Sequence, residues 1–177
     1  MIKFYQIRPF FVFYILYFVM NINIRKADET DIPKIIELMR EFAEFEKLSH
    51  DFSISKESLF EAVFGEGAFV YLLVGALENE VIAYALLYPK FASFRGERSL
   101  YLEDLYVKPN ARGKGSGLAM LKEAAKYAKA NGFKRLDWQA LKWNTPAIDF
   151  YNKIGAESDE TNINFRLIEK DFENLAL

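Results

Sequence analysis

A glycine-rich segment between a predicted strand and a predicted helix is the feature that most limits how this chain can fold. The segment reads Arg112-Gly113-Lys114-Gly115-Ser116-Gly117. Residues 99–108 before it alternate apolar and polar side chains, as a half-buried strand does, and Pro109 ends that pattern. Residues 118–130 after it repeat small and apolar side chains at helical spacing, and Gly132 supplies the stop. The sequence therefore predicts a strand, a turn and a helix in direct succession.

This arrangement predicts a phosphate-binding loop. Glycines let a backbone turn tightly and approach a ligand, because no Cβ stands in the way. The unpaired N–H groups of a helix's first turn and the helix dipole favour an anionic oxygen there, and Arg112 and Lys114 add positive charge. The spacing fits neither the Gly-x-x-x-x-Gly-Lys-Ser/Thr loop nor the Gly-x-Gly-x-x-Gly dinucleotide pattern. The alternative is a glycine-rich turn that binds no ligand.

Two further motifs flank this segment. YLEDLYV at 101–107 precedes it, and WNTPAIDFY at 143–151 with Gly155 and Ala156 follows it. Together with the Arg-x-x-Gly-x-Gly pattern of residues 112–117, they resemble the GCN5-related N-acetyltransferases, in particular the diamine and thialysine acetyltransferase branch. The resemblance runs from Ile22 to Lys170 and so includes nearly the whole chain after its first twenty residues.

The resemblance implies an α/β (α+β) fold with a mixed central sheet of six to seven strands and about four helices. It implies a single N-acetyltransferase domain over residues 21–177, with acetyl-CoA as cosubstrate and no metal. A homodimer is also implied by the resemblance. The absence of cysteine fits a reducing compartment, and we expect the protein in the cytoplasm. The activity it predicts is transfer of an acetyl group to a primary amine of a small molecule by direct attack.

Most of the residues expected to bind the cofactor also follow from the resemblance. The glycine-rich segment with Leu118 would hold the pyrophosphate of coenzyme A. A strand bulge in the family frees main-chain groups for the pantetheine arm, which would pair with Leu105, Tyr106 and Val107. Asn144 resembles a cofactor-contacting asparagine, and Tyr151 occupies the position of the family's catalytic tyrosine.

Acyl transfer from a thioester to an amine requires a neutral amine, a polarised carbonyl and a protonated leaving thiolate. No protein nucleophile is needed, which agrees with the absence of cysteine. Glu103 is the candidate that attracts the ammonium and relays its proton to solvent, because a carboxylate is a weak base for an amine of pKa near 10. A phenol stays protonated at neutral pH, so Tyr151 is the candidate acid. The alternatives are a strand-end salt bridge for Glu103 and simple packing for Tyr151.

The amine side is predicted to include Phe45 and Glu46, an aromatic–acidic pair that faces the amine in the resembling family. Glu103 and Asp104 are candidates as well, although adjacent strand residues point to opposite faces unless a bulge intervenes. Lys142 stands where polyamine-specific members have glutamate, and residues 161–164 lack acidic groups. These departures disfavour a long polycation and leave a diamine or lysine analogue open. Protein lysine or N-terminal acetylation is the alternative, and an inactive coenzyme A sensor is disfavoured by Glu103 and Tyr151.

Composition excludes several other classes. A net charge of −2 gives no sign of a nucleic-acid surface, and one histidine without cysteine excludes thiolate and multi-histidine metal sites. Pro9 to Met20 is an apolar run that is shorter than the roughly 18–20 residues needed to span a bilayer. We interpret residues 1–20 as an extension upstream of the true start or without function, with a membrane anchor as the alternative. No membrane partner is expected.

The remaining segments follow from periodicity and capping signals. Thr30 is expected to cap an apolar-striped helix, and Thr145 is expected to cap the helix that carries Tyr151. Pro89 to Arg98 is predicted to be a loop. The other predicted elements are strands at 22–26, 68–77, 81–88 and 135–140, one or two closing strands within 162–169, and helices at 56–64 and 147–154.

Overall fold

The structure is a computed structural model that describes residues 22–159 and 164–169. These residues form two compact units, one ending at Gln139 and one beginning at Ala140. The two units are therefore described separately. The predicted extension at residues 1–20 lies outside the described residues.

The first unit is built on a mixed sheet of five strands. Its strands are β1 (Asn23–Lys26), β2 (Tyr71–Leu77), β3 (Glu80–Ala92), β4 (Glu97–Val107) and β5 (Arg135–Trp138). The spatial order follows the chain, with antiparallel neighbours except for the parallel pair β4 and β5. The mixed α/β fold is confirmed, with fewer strands than predicted among the described residues. Of the segment predicted to supply closing strands, residues 164–169 contain no strand, and 162–163 lie outside the described residues.

Four α-helices are present in the described residues, as predicted. They are α1 (Ile32–Glu46), α2 (Lys56–Phe64), α3 (Ser116–Ala130) and, in the second unit, α4 (Thr145–Lys153). A 3₁₀ turn at Glu29–Asp31 leads into α1. The predicted capping role of Thr30 is not observed: Asp28 caps the 3₁₀ turn, and Asp31 is the N-cap position of α1. Asp28 Oδ1 accepts the Thr30 N–H at 2.9 Å, and Asp31 Oδ2 accepts the Asp28 N–H at 2.8 Å. This reciprocal pair satisfies two donors at once, which a single threonine cap does not.

Helices cover both faces of the sheet. On one face α1 and α2 contribute Ile35, Leu38 and Leu59 to a core that also holds Leu72 and Val74 of β2. On the other face α3 approaches β2, and a Cβ at Gly75 would lie 2.5 Å from Cδ1 of Ile22 and 3.0 Å from the sulfur of Met120 on α3. The absence of a side chain at Gly75 therefore permits the helix–sheet contact.

The prediction of a loop from Pro89 to Arg98 is wrong. β3 continues to Ala92 and β4 starts at Glu97, so that a short turn joins two long strands. The register of β2 with β3 ends at Leu87, and beyond it β3 is paired only with β4. A proline is tolerated on such a one-sided stretch, because its missing N–H is not needed by a second neighbour.

The second unit starts α4 differently from the prediction. Asn144 is the N-cap, and its Oδ1 accepts the Ala147 N–H at 3.4 Å, while Thr145 is already the first helical residue. Both residue types are good caps, and Pro146 fits the first turn with either choice. Among the residues that the structure describes, no helix has the length and apolar character required to cross a membrane.

Candidate active site

The glycine-rich segment links β4 to α3 by an abrupt change of direction. A 3₁₀ turn at Pro109–Ala111 follows β4, and α3 begins at Ser116. Gly113 and Gly115 have φ angles of 71° and 87°, in the left-handed region that favours glycine. Gly115 is the N-cap of α3 and has no side chain with which to cap the helix. The first-turn N–H groups of α3 are therefore not satisfied by a capping side chain, which suits an anionic ligand.

Gly117 gives a second reason to expect a ligand here. It lies in the first turn of α3 and is not among the positive-φ glycines, so its backbone does not require glycine. A Cβ built at Gly113, Gly115 or Gly117 would meet no heavy atom of the described residues within 4 Å, apart from its own chain neighbours and helix backbone. Glycine at a helical position costs about 1 kcal/mol relative to alanine, and no neighbouring protein atom requires it at Gly117. The space beside Gly117, together with the N–H groups of the first turn of α3 that no side chain caps, suits the predicted pyrophosphate of coenzyme A.

The polar side chains of this segment bond to the protein's own main chain. The buried Ser116 hydroxyl donates to the Ala111 carbonyl at 3.1 Å, and Lys114 Nζ donates to the Asn110 carbonyl at 2.9 Å. Both bonds hold the loop to the 3₁₀ turn before it. The Lys114 and Ser116 side chains therefore hold the loop in shape. The groups of this segment that suit a phosphate are its main-chain N–H groups.

Arg112 makes its contacts on the side of α1. Its Nε donates to the Val107 carbonyl at 2.7 Å. The guanidinium carbon lies 4.7 Å from the centre of the Phe45 ring and 5.3 Å from that of Tyr106. Sequence reasoning predicted the positive charge of Arg112 but not these aromatic partners.

The end of β4 presents a main-chain edge. The parallel register with β5 covers only Ser99 to Leu102, whereas the register with β3 continues to Val107. Residues 105–107 therefore have β3 on one side and no paired strand of the described chain on the other. This is the edge at which the predicted pairing of Leu105, Tyr106 and Val107 with a pantetheine arm would occur.

A bulge in β4 brings the two adjacent carboxylates to one face. Asp104 pairs with Leu86 and Leu102 pairs with Leu87, so Glu103 is an extra residue without a partner on β3. The expected bulge is present, and it resolves the alternation problem. Tyr84 Oη donates to Asp104 Oδ2 and Tyr88 Oη donates to Glu103 Oε2, each at 3.0 Å. Because Tyr84 and Tyr88 are four residues apart on β3, they point to the same face, and so do their acceptors.

Three carboxylates, Glu46, Glu103 and Asp104, make this face acidic. Burial raises the pKa of Asp104 to about 6, and the nearby charges of Glu103 and Glu46 add to the shift. Burial also raises the pKa of Glu46 above its usual range. Burial and Glu103 raise the pKa of Tyr88 to about 12, so its hydroxyl stays a donor. No cation of the described residues is among the causes that act on the pKa of Asp104 or Glu46. A bound ammonium group would stabilise the ionised forms of both carboxylates and lower their pKa values.

Two predicted residues lie in the second unit. Tyr151 is half-buried on α4, with its ring centre 5.3 Å from that of Phe150. The Asn144 oxygen is used in the N-cap of α4, which leaves its amide nitrogen for other contacts. The roles of both residues in catalysis and cofactor binding stay predictions.

Sequence reasoning missed Tyr84 and Tyr88. Both lie in the strand predicted at 81–88 and were given no role there, and Tyr84 is fully buried. The signal that could have found them is a pair of tyrosines four residues apart in an otherwise aliphatic strand. A buried tyrosine hydroxyl needs a hydrogen-bond partner, and a carboxylate on the adjacent strand is a suitable one.

Comparison with known proteins identifies the family of this chain. The sequence model of the acetyltransferase (GNAT) family matches residues 32–156, a range that includes parts of both units. The chain belongs to this family and is an N-acetyltransferase. The family uses acetyl-CoA as cosubstrate.

Two curated relatives and one solved structure illustrate the similarity. A thialysine N-epsilon-acetyltransferase of Bos taurus is 40% identical over 144 residues, which cover 77% of this chain and 84% of the relative. The L-ornithine N5-acetyltransferase of Arabidopsis thaliana is 27% identical over 180 aligned residues, covering 76% and 79%. An integron cassette protein from the mobile metagenome of V. cholerae superposes with a TM-score of 0.72 at 27% identity, covering 89% of this chain and 98% of that one.

Proposed function

We propose that this enzyme transfers the acetyl group of acetyl-CoA to the primary amine of a small cationic molecule, such as a lysine analogue or a short diamine. The observation that supports this most is the bulge at Glu103. It places Glu103 and Asp104 on one face of β4, within electrostatic reach of Glu46. Three carboxylates with two tyrosine donors form a compact acidic face that suits one ammonium group and its short chain.

The acidic face would hold the amine and lower the cost of its deprotonation. Glu103 is exposed to solvent and accepts one hydrogen bond from Tyr88, so it can pass a proton from the ammonium to water. Asp104 is more enclosed and would act by charge. Removing the proton exposes the nitrogen lone pair that attacks, because an ammonium cannot act as a nucleophile.

The glycine-rich segment and the edge of β4 would orient the donor. Bound acetyl-CoA supplies the thioester carbonyl that the amine attacks. Main-chain N–H groups from Gly113 to Leu118 would bind the pyrophosphate, and residues 105–107 would align the pantetheine arm. Asn144 is proposed as a further cofactor contact through its amide. Tyr151 Oη would give a proton to the departing sulfur, because a phenol is still protonated at neutral pH.

The relatives' names support the choice of amine. The relative from Bos taurus is named for thialysine and that from Arabidopsis thaliana for L-ornithine, two amino acids with a side-chain amine. Both molecules are short, which agrees with Lys142 and with the neutral residues 161–164 in this chain. We also propose that the enzyme is a cytoplasmic homodimer without a nucleic-acid or membrane partner.

An amine panel tests the proposal. Thiol release from acetyl-CoA is measured with thialysine, L-ornithine, L-lysine, putrescine, spermine and a lysine-containing peptide at equal concentrations. We expect kcat/KM to be highest for one of the four short amines. A preference for the peptide would instead support protein acetylation. Binding of coenzyme A without thiol release from any amine would support an inactive sensor and contradict the proposal.

A further inference from the structure

The Arg112 side chain connects the predicted cofactor loop to the predicted amine side. Arg112 opens the glycine-rich segment that leads into α3. Its guanidinium lies over the ring of Phe45, in the last turn of α1 and directly before Glu46. It also lies over Tyr106, whose hydroxyl donates to Glu41 Oε2 of α1 at 3.0 Å. Both aromatic contacts of Arg112 therefore lead back to α1.

These contacts depend on the shape of arginine as well as on its charge. A guanidinium is flat, stacks on aromatic faces, and can donate from Nε at the same time. Here Nε is held by the Val107 carbonyl at 2.7 Å, which restrains the guanidinium beside both rings. Phe45 is still 38% exposed, so its position depends on surface partners such as Arg112 rather than on deep burial. Lysine would keep the charge and lose the stacking geometry.

On the basis of the acetyltransferase function proposed above, we propose that Arg112 is a positioning residue that couples binding of the donor to the amine side. An anionic donor in the glycine-rich segment restrains Arg112, which restrains Phe45 and thereby the neighbouring Glu46. Donor binding then orders the end of α1 before the amine is held there. Such coupling is reciprocal, so each substrate would strengthen the binding of the other. The competing explanation is that Arg112 only adds positive charge near the pyrophosphate.

Hydrogen exchange distinguishes the two explanations without using turnover. The N–H groups of Lys47 and Leu48 close α1 by bonding to the carbonyls of Glu44 and Ala43. We expect saturating coenzyme A to slow their exchange in the wild-type chain by roughly 5-fold or more, the lower end of usual coupling strengths. In Arg112→Lys, coenzyme A at a saturating concentration should leave their exchange almost unchanged. Isothermal calorimetry provides the concentration needed to saturate each chain.

Two other variants sharpen the test. Lys114→Met removes a cation of the same loop whose described contact is the Asn110 carbonyl and not an aromatic ring. It should therefore weaken coenzyme A binding and keep the slowed exchange once saturated. Phe45→Leu removes the ring that Arg112 contacts on α1, so coenzyme A should no longer slow the exchange of the Lys47 and Leu48 N–H groups. This variant tests the coupling even if Arg112→Lys fails to fold. Equal slowing in the wild type and the Phe45 variant, or none in a wild type that binds coenzyme A, would overturn the coupling. Absence of coenzyme A binding to the wild type would instead overturn the proposed function.

Discussion

Tyr84 donates its hydroxyl hydrogen to Oδ2 of Asp104, 3.0 Å away on the neighbouring strand. The Tyr84 side chain is fully buried, so the bond joins the hydrophobic core under α1 to the acidic face of the candidate site. The same bond opposes the rise in the pKa of Asp104 that burial causes. Tyr84 therefore helps to keep Asp104 charged, which is the form that attracts an ammonium group.

Tyr84→Phe should move the acidic limb of the pH profile of kcat/KM for the amine to higher pH. The hydroxyl favours the ionised form of Asp104, so its loss should raise the pKa of Asp104 beyond about 6. We expect kcat/KM for the amine to fall severalfold at pH 6 and to approach the wild-type value near pH 8.5. The groups that act on the pKa of Asp104 are Tyr84 on β3 through its hydrogen bond and Glu103 on β4 and Glu46 on α1 through their charges.

A control separates this effect from general damage to the core. Tyr106→Phe removes a hydroxyl of the same core that bonds to Glu41 instead of Asp104. It should leave the acidic limb in place. A Tyr84→Phe defect of equal size at every pH would indicate that the bond is only structural.

Asp104→Asn should stabilise the fold in a pH-dependent way. The pKa of Asp104 is about 6 in the folded chain, above its ordinary value of 3.8, so the folded state binds the proton more tightly than the unfolded state. The ionised carboxylate therefore costs folding free energy above pH 6, and this cost disappears below about pH 4. Asparagine carries no charge and can still accept from Tyr84.

The expected gain is about 1–3 kcal/mol in the free energy of unfolding at pH 8, shrinking as the pH falls toward 4. Urea unfolding of both chains at pH 8, 6 and 4.5 measures it. The amine KM should rise in the same variant, because one negative charge is lost. If Asp104→Asn is instead less stable than the wild type at pH 8, the ionised Asp104 carboxylate stabilises the folded state, and the expected cost of its burial is wrong.

Gly117→Asp should separate ligand binding from folding at the glycine-rich segment. Gly117 has no positive φ, and in the part of the chain that the structure describes no atom beyond its own helix backbone lies within 4 Å of a Cβ built there, so the substitution is not strained. An aspartate in the first turn of a helix is favourable for the helix itself. Its charge would repel a pyrophosphate at the same place, so we expect an unchanged or higher Tm and at least a roughly 100-fold weaker coenzyme A affinity, about 2.7 kcal/mol.

Gly117→Ala is the matched control for this variant. It adds only a methyl group and no charge, so it should raise stability by about 1 kcal/mol and weaken coenzyme A binding less than Gly117→Asp does. Gly115 is less suitable for the experiment, because its φ of 87° strains any other residue. Calorimetry that gives the same coenzyme A affinity for Gly117→Asp and wild type would remove the phosphate-loop assignment.

Tyr151→Phe should slow the chemical step and leave donor binding intact. The change keeps the ring and its contact with Phe150 and removes only the hydroxyl. General acid catalysis contributes about 10²- to 10⁴-fold, so kcat should fall within that range while KM for acetyl-CoA stays level. Single-turnover measurements are needed, because slow product release can hide a slower chemical step. Tyr71→Phe, at a ring that packs on Tyr127, serves as the control. A wild-type single-turnover rate for Tyr151→Phe would exclude the hydroxyl as the acid.

Glu103→Gln should have a different kinetic signature. It removes the charge that holds the ammonium and keeps the shape of the side chain, so kcat/KM for the amine should fall about 10-fold or more. The defect should shrink at high pH, where more of the amine is already neutral. Tyr88→Phe removes only the hydrogen bond to Glu103 and should give a smaller effect of the same kind. A Glu103→Gln defect that does not change between pH 7 and 10 would argue against a role in deprotonation.

Much of the local structure could be predicted from the sequence alone. α2 begins at Lys56 and ends at Phe64 as its periodicity indicated, and α3 follows the glycine-rich segment directly. Such elements depend on side chains a few residues apart and on the backbone preferences of glycine and proline. The family motifs predicted an N-acetyltransferase, because they combine several short patterns in a set order. The loop predicted around Pro89 was wrong, because a proline's effect depends on whether its strand has neighbours on both sides.

Only the tertiary structure decided how the candidate site is arranged. Strand alternation alone would put Glu103 and Asp104 on opposite faces of the sheet. The register of β3 with β4 leaves Glu103 unpaired, and this bulge puts both carboxylates on the same face. The tyrosines that bond these carboxylates come from another strand, and the rings that flank Arg112 include one from α1. The raised pKa of Asp104 likewise depends on what surrounds it. Sequence patterns describe neighbours along the chain, whereas these contacts join residues that become neighbours only when the sheet and α1 pack together.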